Sequence, residues 1–250
     1  MISVCIATYN GEKYIKEQLL SILSQIAPND EVIISDDGST DNTLQIINEL
    51  CDSRIRIIEG PHRHSPTYNF EYALKEAKGE YVFLADQDDI WKEDKVKTCL
   101  RWLQSFDCVI SDAEVTDEKL RTISSSLYRM LNIRKGKVYN LICKNGYTGC
   151  CMAFKQKVKD TVLPFPKDIA MHDIWIGNVA AYRYKVKFID EKLIYFRRHT
   201  SANSCNGKES KYSLLQRIAF RWSTIKNLIK LSKRKNINNN EHRIHHRRLF

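Results

Sequence analysis

At 250 residues and 43% apolar composition, the chain can build one large domain or two small ones around a full core, and disorder is excluded for most of it. The net charge of +10 is concentrated at one end, because residues 197–250 hold 14 Lys and Arg against 2 Asp and Glu while residues 1–196 hold 26 against 28. A near-neutral body with a basic appendage is not a nucleic-acid-binding domain, and no nucleic-acid partner is expected.

Met1 leads directly into a strand at residues 3–7, with no basic and apolar leader of the signal-peptide kind, so a cytoplasmic location is expected. Ile15, Leu19, Ile22, Leu23 and Ile26 then recur at helical spacing before a strand at residues 32–35, which makes one β-α-β unit. Ser39-Thr40-Asp41 offers N-caps to a second helix carrying Leu44, Ile46, Ile47 and Leu50, followed by a strand at residues 55–58. A third helix at residues 68–78 ends at Gly79 and delivers the chain to the apolar run Tyr81-Val82-Phe83-Leu84-Ala85. This alternation predicts an α/β fold with a mostly parallel sheet, covered on both faces, whose ligands bind beyond the carboxyl ends of the strands. Past Trp102 the alternation weakens, through strands at residues 108–111, 151–154 and 186–196 with a polar loop between the first two. We read residues 1–206 as one domain, its nucleotide-binding half at 1–105 and its acceptor half at 106–206, with 207–250 as a tail.

Polar clusters stand at three strand ends: Thr8-Tyr9-Asn10-Gly11, Asp36-Asp37-Gly38-Ser39 and Asp86-Gln87-Asp88-Asp89. Three carboxylates in four residues repel one another unless a cation lies between them, which points to Mg2+ or Mn2+. Such ions, bound by one or two carboxylates, take their other ligands from water and substrate phosphates, so a diphosphate substrate is expected. Tyr9 offers a stacking surface for a base and Asp37 a hydrogen-bonding group, although Asp36-Asp37-Gly38 also reads as a turn feeding a helix cap. Neither Gly-x-Gly-x-x-Gly nor Gly-x-x-x-x-Gly-Lys-Ser/Thr occurs, which excludes dinucleotide enzymes and P-loop kinases. The eight cysteines are scattered without a Cys-x-x-Cys pair, so reduced thiols are expected rather than a zinc site or a disulfide framework.

The succession of these three motifs, with Gly79-Glu80 before the last strand, resembles the family-2 inverting glycosyltransferases of GT-A fold over roughly the first hundred residues. The resemblance implies that Thr8, Tyr9, Asn10 and Asp37 bind the nucleotide, that Asp86 lies near the ribose or sugar, and that Asp88 holds the metal. Asp89 and Trp91 would position the loop or the acceptor. Met171-His172-Asp173-Ile174-Trp175, with Thr148-Gly149-Cys150 upstream, is similar to the rhamnosyltransferase-like branch, in which Asp173 would be the catalytic base and Trp175 an acceptor neighbour. His172 stands where Glu is common, and Asp173 also reads as a charge favoured by a helix N-terminus. Phe196-Arg197-Arg198-His199 resembles a Tyr-Arg-x-His segment whose basic groups reach the leaving diphosphate. Period-two alternation puts Arg197 and His199 on one side and Arg198 on the other, while His62 and His64 read as loop residues.

The expectation is therefore an inverting transfer of one sugar from a nucleoside-diphosphate donor, dTDP-rhamnose or a UDP-sugar, to a hydroxyl of a cell-surface glycan precursor that is lipid-linked. A sugar-1-phosphate nucleotidyltransferase would need a glycine-rich loop with Arg and Lys where Tyr9-Asn10-Gly11-Glu12 stands. A non-catalytic nucleic-acid- or membrane-binding module driven by the basic tail is the third class. In that tail, Leu214, Leu215, Ile218, Trp222, Ile225 and Ile229 form a stripe among Arg217, Arg221, Lys226 and Lys230. This basic amphipathic helix, over residues 213–231, suits either the inner membrane surface or packing against the body. The run at residues 236–250 is read as frayed. Gln216 and Arg221-Trp222 lie too far apart for the Gln-x-x-Arg-Trp of processive synthases.

Overall fold

The computed structural model describes residues 1–199 and 213–247, with side chains of the last helix described through Lys233. Four apolar runs become the parallel half of one sheet: β1 (Ile2–Thr8), β2 (Glu31–Asp36), β3 (Ile55–Glu59) and β4 (Tyr81–Asp86). Val4, Cys5 and Ile6, Val32, Ile33 and Ile34, and Phe83 and Leu84 are 0% exposed, so consecutive side chains of β1, β2 and β4 are covered whichever face they point to. The connections are α1 (Ile15–Leu23), α2 (Thr43–Glu49) and α3 (Pro66–Glu76), which starts on a proline where no backbone donor is required. Spatial order runs β3-β2-β1-β4, so the winding reverses at β1 and the ends of β1 and β4 border the crevice where such sheets bind ligands.

The sheet then changes character. The chain continues with β5 (Ile90–Trp91) and α4 (Lys95–Leu103), and the second half opens with β6 (Cys108–Thr116) and β7 (Thr122–Ser124). Two short helices follow, α5 (Leu127–Met130) and α6 (Lys137–Ile142), in the stretch expected to be loop. A 3-10 turn (Gly149–Cys151) leads into β8 (Met152–Lys155) and α7 (Gln156–Val162), and then come α8 (His172–Arg183), β9 (Val186–Arg197) and α9 (Leu214–Arg247). Strand β8 pairs antiparallel with both β4 and β6, β9 runs parallel to β6, and β5 closes the edge on β9. Among the described residues one nine-stranded sheet thus passes through both halves, and its core continues from Ile33 on one side to Val109, Phe154 and Ile194 on the other.

The last helix touches α6 and α8. Its helical backbone continues through Arg247, past the point where the apolar periodicity stops. No helix among the described residues is long and apolar enough to cross a membrane. The seven described cysteines are free thiols.

Candidate active site

The polar ends of β1, β2 and β4 meet because the three strands are neighbours in register, Thr8 opposite Asp36 and Ala7 opposite Asp86. Buried Thr8 donates to the Asp36 carboxylate at 3.0 Å, and Asp36 also accepts from Ser39 N at 2.8 Å and Ser39 Oγ at 2.6 Å. Asn10, with φ 49°, accepts from Thr40 N at 2.8 Å through its side-chain oxygen and donates its own backbone N–H to Ser39 Oγ at 2.9 Å. Gln87 braces Tyr9 twice, accepting from its N–H at 2.9 Å and donating to its carbonyl at 3.1 Å. A Cβ on Gly11 would lie 2.5 Å from that Gln87 side chain, so only glycine admits the brace.

Tyr9 keeps 38% of its surface exposed, and its ring lies 4.6 Å from that of His64. Asp37 is buried, and its two oxygens accept the backbone N–H groups of Arg63 and Ser65, each at 3.0 Å. It thereby fixes a loop in which His62 and His64 both adopt left-handed φ, 52° and 48°. Such backbone is uncommon away from glycine and tends to mark sites where position matters more than local ease. The sequence offered no sign that Asp37 would set His64 against Tyr9.

At the end of β4 the three carboxylates separate in role. Asp88 Oδ2 lies 2.7 Å from His199 Nε2. Asp89, 1% exposed, accepts Arg197 N at 3.0 Å with one oxygen, and its other oxygen has no hydrogen-bond partner among the described residues. Burial, then the charges of Asp88 and Asp173, push the Asp86 carboxyl up to about 7. Burial, then Asp88 and Asp86, also hold Asp89 well above the usual carboxylate range. Ligand atoms of Asp86, Asp89 and buried Cys150 lie within 4.8 Å of one another. An orphaned carboxylate oxygen, mutually repelling acids and an imidazole on Asp88 form a donor set of oxygen and nitrogen that suits a divalent cation.

Arg197 is 4% exposed, donates to Glu17 at 2.6 Å and places its guanidinium 4.5 Å from the Tyr14 ring centre. His199 meets the same Tyr14 ring at 4.9 Å. Arg198 turns away to Met130, as alternation along an extended chain requires. Trp91 packs on Phe83 at 5.5 Å, and Trp175 is 1% exposed with its indole N–H donating to Val162 O at 2.9 Å. Both indoles are buried, Trp91 in β5 and Trp175 in α8.

Asp173 lies in the first turn of α8 and accepts Ile174 N at 2.6 Å. Burial raises its carboxyl to about 7 even though the backbone N–H groups of Ile174 and Gly149 favour the ionised form. His172 beside it is buried, stacked on Phe70 at 4.1 Å and pushed down to about 3, and neither ring nitrogen has a partner among the described residues. A Cβ on Gly149 would come 2.8 Å from His172, so this glycine lets the turn beside β4 approach the start of α8. Glu17 gave no sequence signal and His64 read as a loop residue, while Gln87, Gly149 and Cys150 stood inside motifs without a role of their own.

A parallel half-sheet with this crevice, joined to antiparallel strands, defines an α/β domain whose carboxylate-lined site stands at the strand ends. The sequence model of glycosyl transferase family 2 matches residues 3–163, and the chain belongs to that family. It is 29% identical over 209 residues to the Escherichia coli UDP-Glc:alpha-D-GlcNAc-diphosphoundecaprenol beta-1,3-glucosyltransferase WfaP, covering 82% of this chain and 80% of that protein. It is 29% identical over 239 residues to the dTDP-rhamnosyl transferase RfbG of Shigella flexneri, covering 86% and 80%. The crystal structure of S. aureus TarS 1-349 in complex with UDP-GlcNAc superposes with a TM-score of 0.64 at 22% identity, covering 80% of this chain and 59% of that 1-349 fragment, and shows the GT-A fold. The chain spans 66% to 80% of the length of the first curated relatives.

Proposed function

We propose that this family-2 glycosyltransferase transfers one sugar, with inversion, from a nucleoside diphosphate to a hydroxyl of a lipid-linked glycan precursor on the cytoplasmic side of the membrane. The observation that carries this reading is the convergence of Asp86, Asp88, Asp89, His199 and Asp173 at one end of the sheet, where Asp173 is near enough to raise the Asp86 carboxyl. Asp88 and His199 would hold Mg2+ or Mn2+, and when bound the ion supplies positive charge to the departing diphosphate.

The remaining chemistry belongs to the side chains. Tyr9 and His64 border the base, and Thr8, Asn10 and Asp37 fix the two loops that bear them. Two lone-pair positions on each Asp37 oxygen leave acceptor capacity for the base beyond the Arg63 and Ser65 bonds. Arg197 would exchange Glu17 for a phosphate oxygen. Asp173 removes the proton from the acceptor hydroxyl as its oxygen bonds to the anomeric carbon. The bond to the diphosphate breaks on the opposite face, and the electron pair leaves with the diphosphate.

Likeness to RfbG and the His172-Asp173-Ile174-Trp175 segment favours dTDP-rhamnose as donor, and likeness to WfaP supports a UDP-sugar. Thermal unfolding with dTDP-rhamnose, UDP-glucose and UDP-N-acetylglucosamine, each with and without manganese, discriminates them. A ligand at about 100 times its dissociation constant adds about 2.7 kcal/mol, so one donor should raise the midpoint only with the metal. Protection by none of the nucleotides at millimolar concentration would defeat the proposal.

A further inference from the structure

The last helix has two faces that do different work. At 3.6 residues per turn, Leu214, Ile218, Trp222, Ile225 and Ile229 follow one another at steps of three or four and share one side. Leu214 is 68% exposed, Ile218 54%, Trp222 67% and Ile229 52%. The opposite side is the buried one, and it is mostly polar: Ser223, Thr224 and Asn227 are covered together with Leu228. Asn227 donates to Asp168 at 2.9 Å, and Lys226 reaches the same carboxylate at 3.4 Å. The helix is therefore fixed to the body by these hydrogen bonds and by Leu228, which joins the core with Leu231 packed against it, while the stripe from Leu214 to Ile229 looks outward.

Basic residues border the stripe on both edges. Arg217 and Arg221 lie along one, and Lys226, Lys230 and Lys233 along the other. Arg221 also donates to the carbonyl of Cys143, beside Ile142 of α6, which is 56% exposed and extends the apolar surface. An apolar band containing an exposed Trp between two basic rows matches a helix lying in the headgroup region of an anionic bilayer. A second copy would bring basic rows of like sign together, which opposes association. Nucleic acid would put phosphates against an apolar band.

We infer that the outward face of α9 docks on an anionic lipid surface while its inward face stays on the catalytic body. Because Asp168 precedes α8 by four positions, the docked helix bears on the segment that ends at Asp173, and this would set the site at a fixed orientation to the bilayer. The inference rests on the proposed function only for the lipid-linked nature of the acceptor, since lipid binding is measured without donor or transfer.

Co-sedimentation of the full chain with phosphatidylcholine vesicles, with and without about 30% phosphatidylglycerol, tests it at low salt. Binding is expected to the anionic vesicles alone, to fall by about tenfold or more at about 0.5 M salt as screening shortens the reach of the basic rows, and to shift the emission of exposed Trp222 to the blue. Ile218→Glu with Ile229→Glu should weaken binding at least tenfold and leave manganese-dependent donor protection intact. Ile123→Glu, at a residue 54% exposed on β7, should change neither. Lys233→Glu should cost about fivefold or more, the weight of one basic residue near such a surface. Three results would overturn the inference: no binding by the full chain at low salt, undiminished binding by the double variant, or a dimer in sedimentation velocity that the double variant dissociates. Failure of every donor to protect the protein would defeat the catalytic proposal and leave the vesicle result standing.

Discussion

Asp173→Asn should make the protein more stable as it makes the enzyme inactive. The carboxyl rises from its ordinary 3.8 to about 7, chiefly by burial. At about pH 8 both folded and unfolded chains carry the charge, and the folded state bears its desolvation, about 4 kcal/mol at 1.36 kcal/mol per pH unit. The helix N-terminus returns only about 0.3–1 kcal/mol, so burial wins. Asp173 retains part of its surface in water, and screening there reduces the expected gain to about 2 kcal/mol. The sign follows from linkage. A carboxyl raised on folding costs nothing below its unfolded pKa, costs progressively more between 3.8 and about 7, and costs a constant amount above. The advantage of Asn should therefore shrink to less than half between about pH 8 and pH 5. Urea unfolding of both proteins at the two pH values measures it, with turnover assayed in parallel and expected to fall by about 100-fold or more. A variant less stable than the parent at pH 8, or an advantage independent of pH, would refute the account of Asp173 as a buried, charge-bearing base.

The same titration shapes activity: kcat/KM for the acceptor should rise about tenfold per pH unit up to about 7 and then level, since a protonated Asp173 accepts no proton. A flat profile from about pH 5.5 to 8.5 would count against it. Asp88→Asn should abolish the manganese dependence of nucleoside diphosphate binding in titration calorimetry while circular dichroism stays unchanged, and unaltered metal-linked affinity would move the ion elsewhere. Gly177→Ala sets a methyl against the ring of buried Tyr147. Overpacking of this kind costs about 1–3 kcal/mol, read as a lowered urea midpoint, and an unchanged midpoint would mean that α8 shifts without strain.

The parallel half was legible because its signals are local. Runs such as Val32-Ile33-Ile34 and Tyr81-Val82-Phe83-Leu84-Ala85 are apolar throughout, helices with period 3.6 separate them, and polar clusters mark their ends. The strands of the second half were read at residues 108–111, 151–154 and 186–196, but their pairing was not, since the place of β8 between β4 and β6 depends on contacts that no local pattern encodes. Short helices α5 and α6 escaped because four to six residues are too few to show a period. Asp37 was visible as a strand-end acid, but its bonds to Arg63 and Ser65 join it to a loop whose conformation is set by left-handed histidines. On α9 the stripe was plain, yet its direction was not, because the burial of Thr224 and Asn227 is decided by the surface they meet.

The bonds from Asp88 to His199 and from Asp89 to Arg197 span 111 and 108 positions. A ribosome releases the chain in order, so β1 to β4 can assemble while the far end is still being made. Until β9 arrives, the acidic loop has neither its imidazole neighbour nor its backbone anchor, and the strand that arrives must be in phase. A slip of one residue would present Arg198 where Arg197 and His199 belong. Completion of the site thus reports completion and correct alignment of the sheet, and a partly made chain would hold the crevice at the ends of β1 and β4 without the residues that complete it.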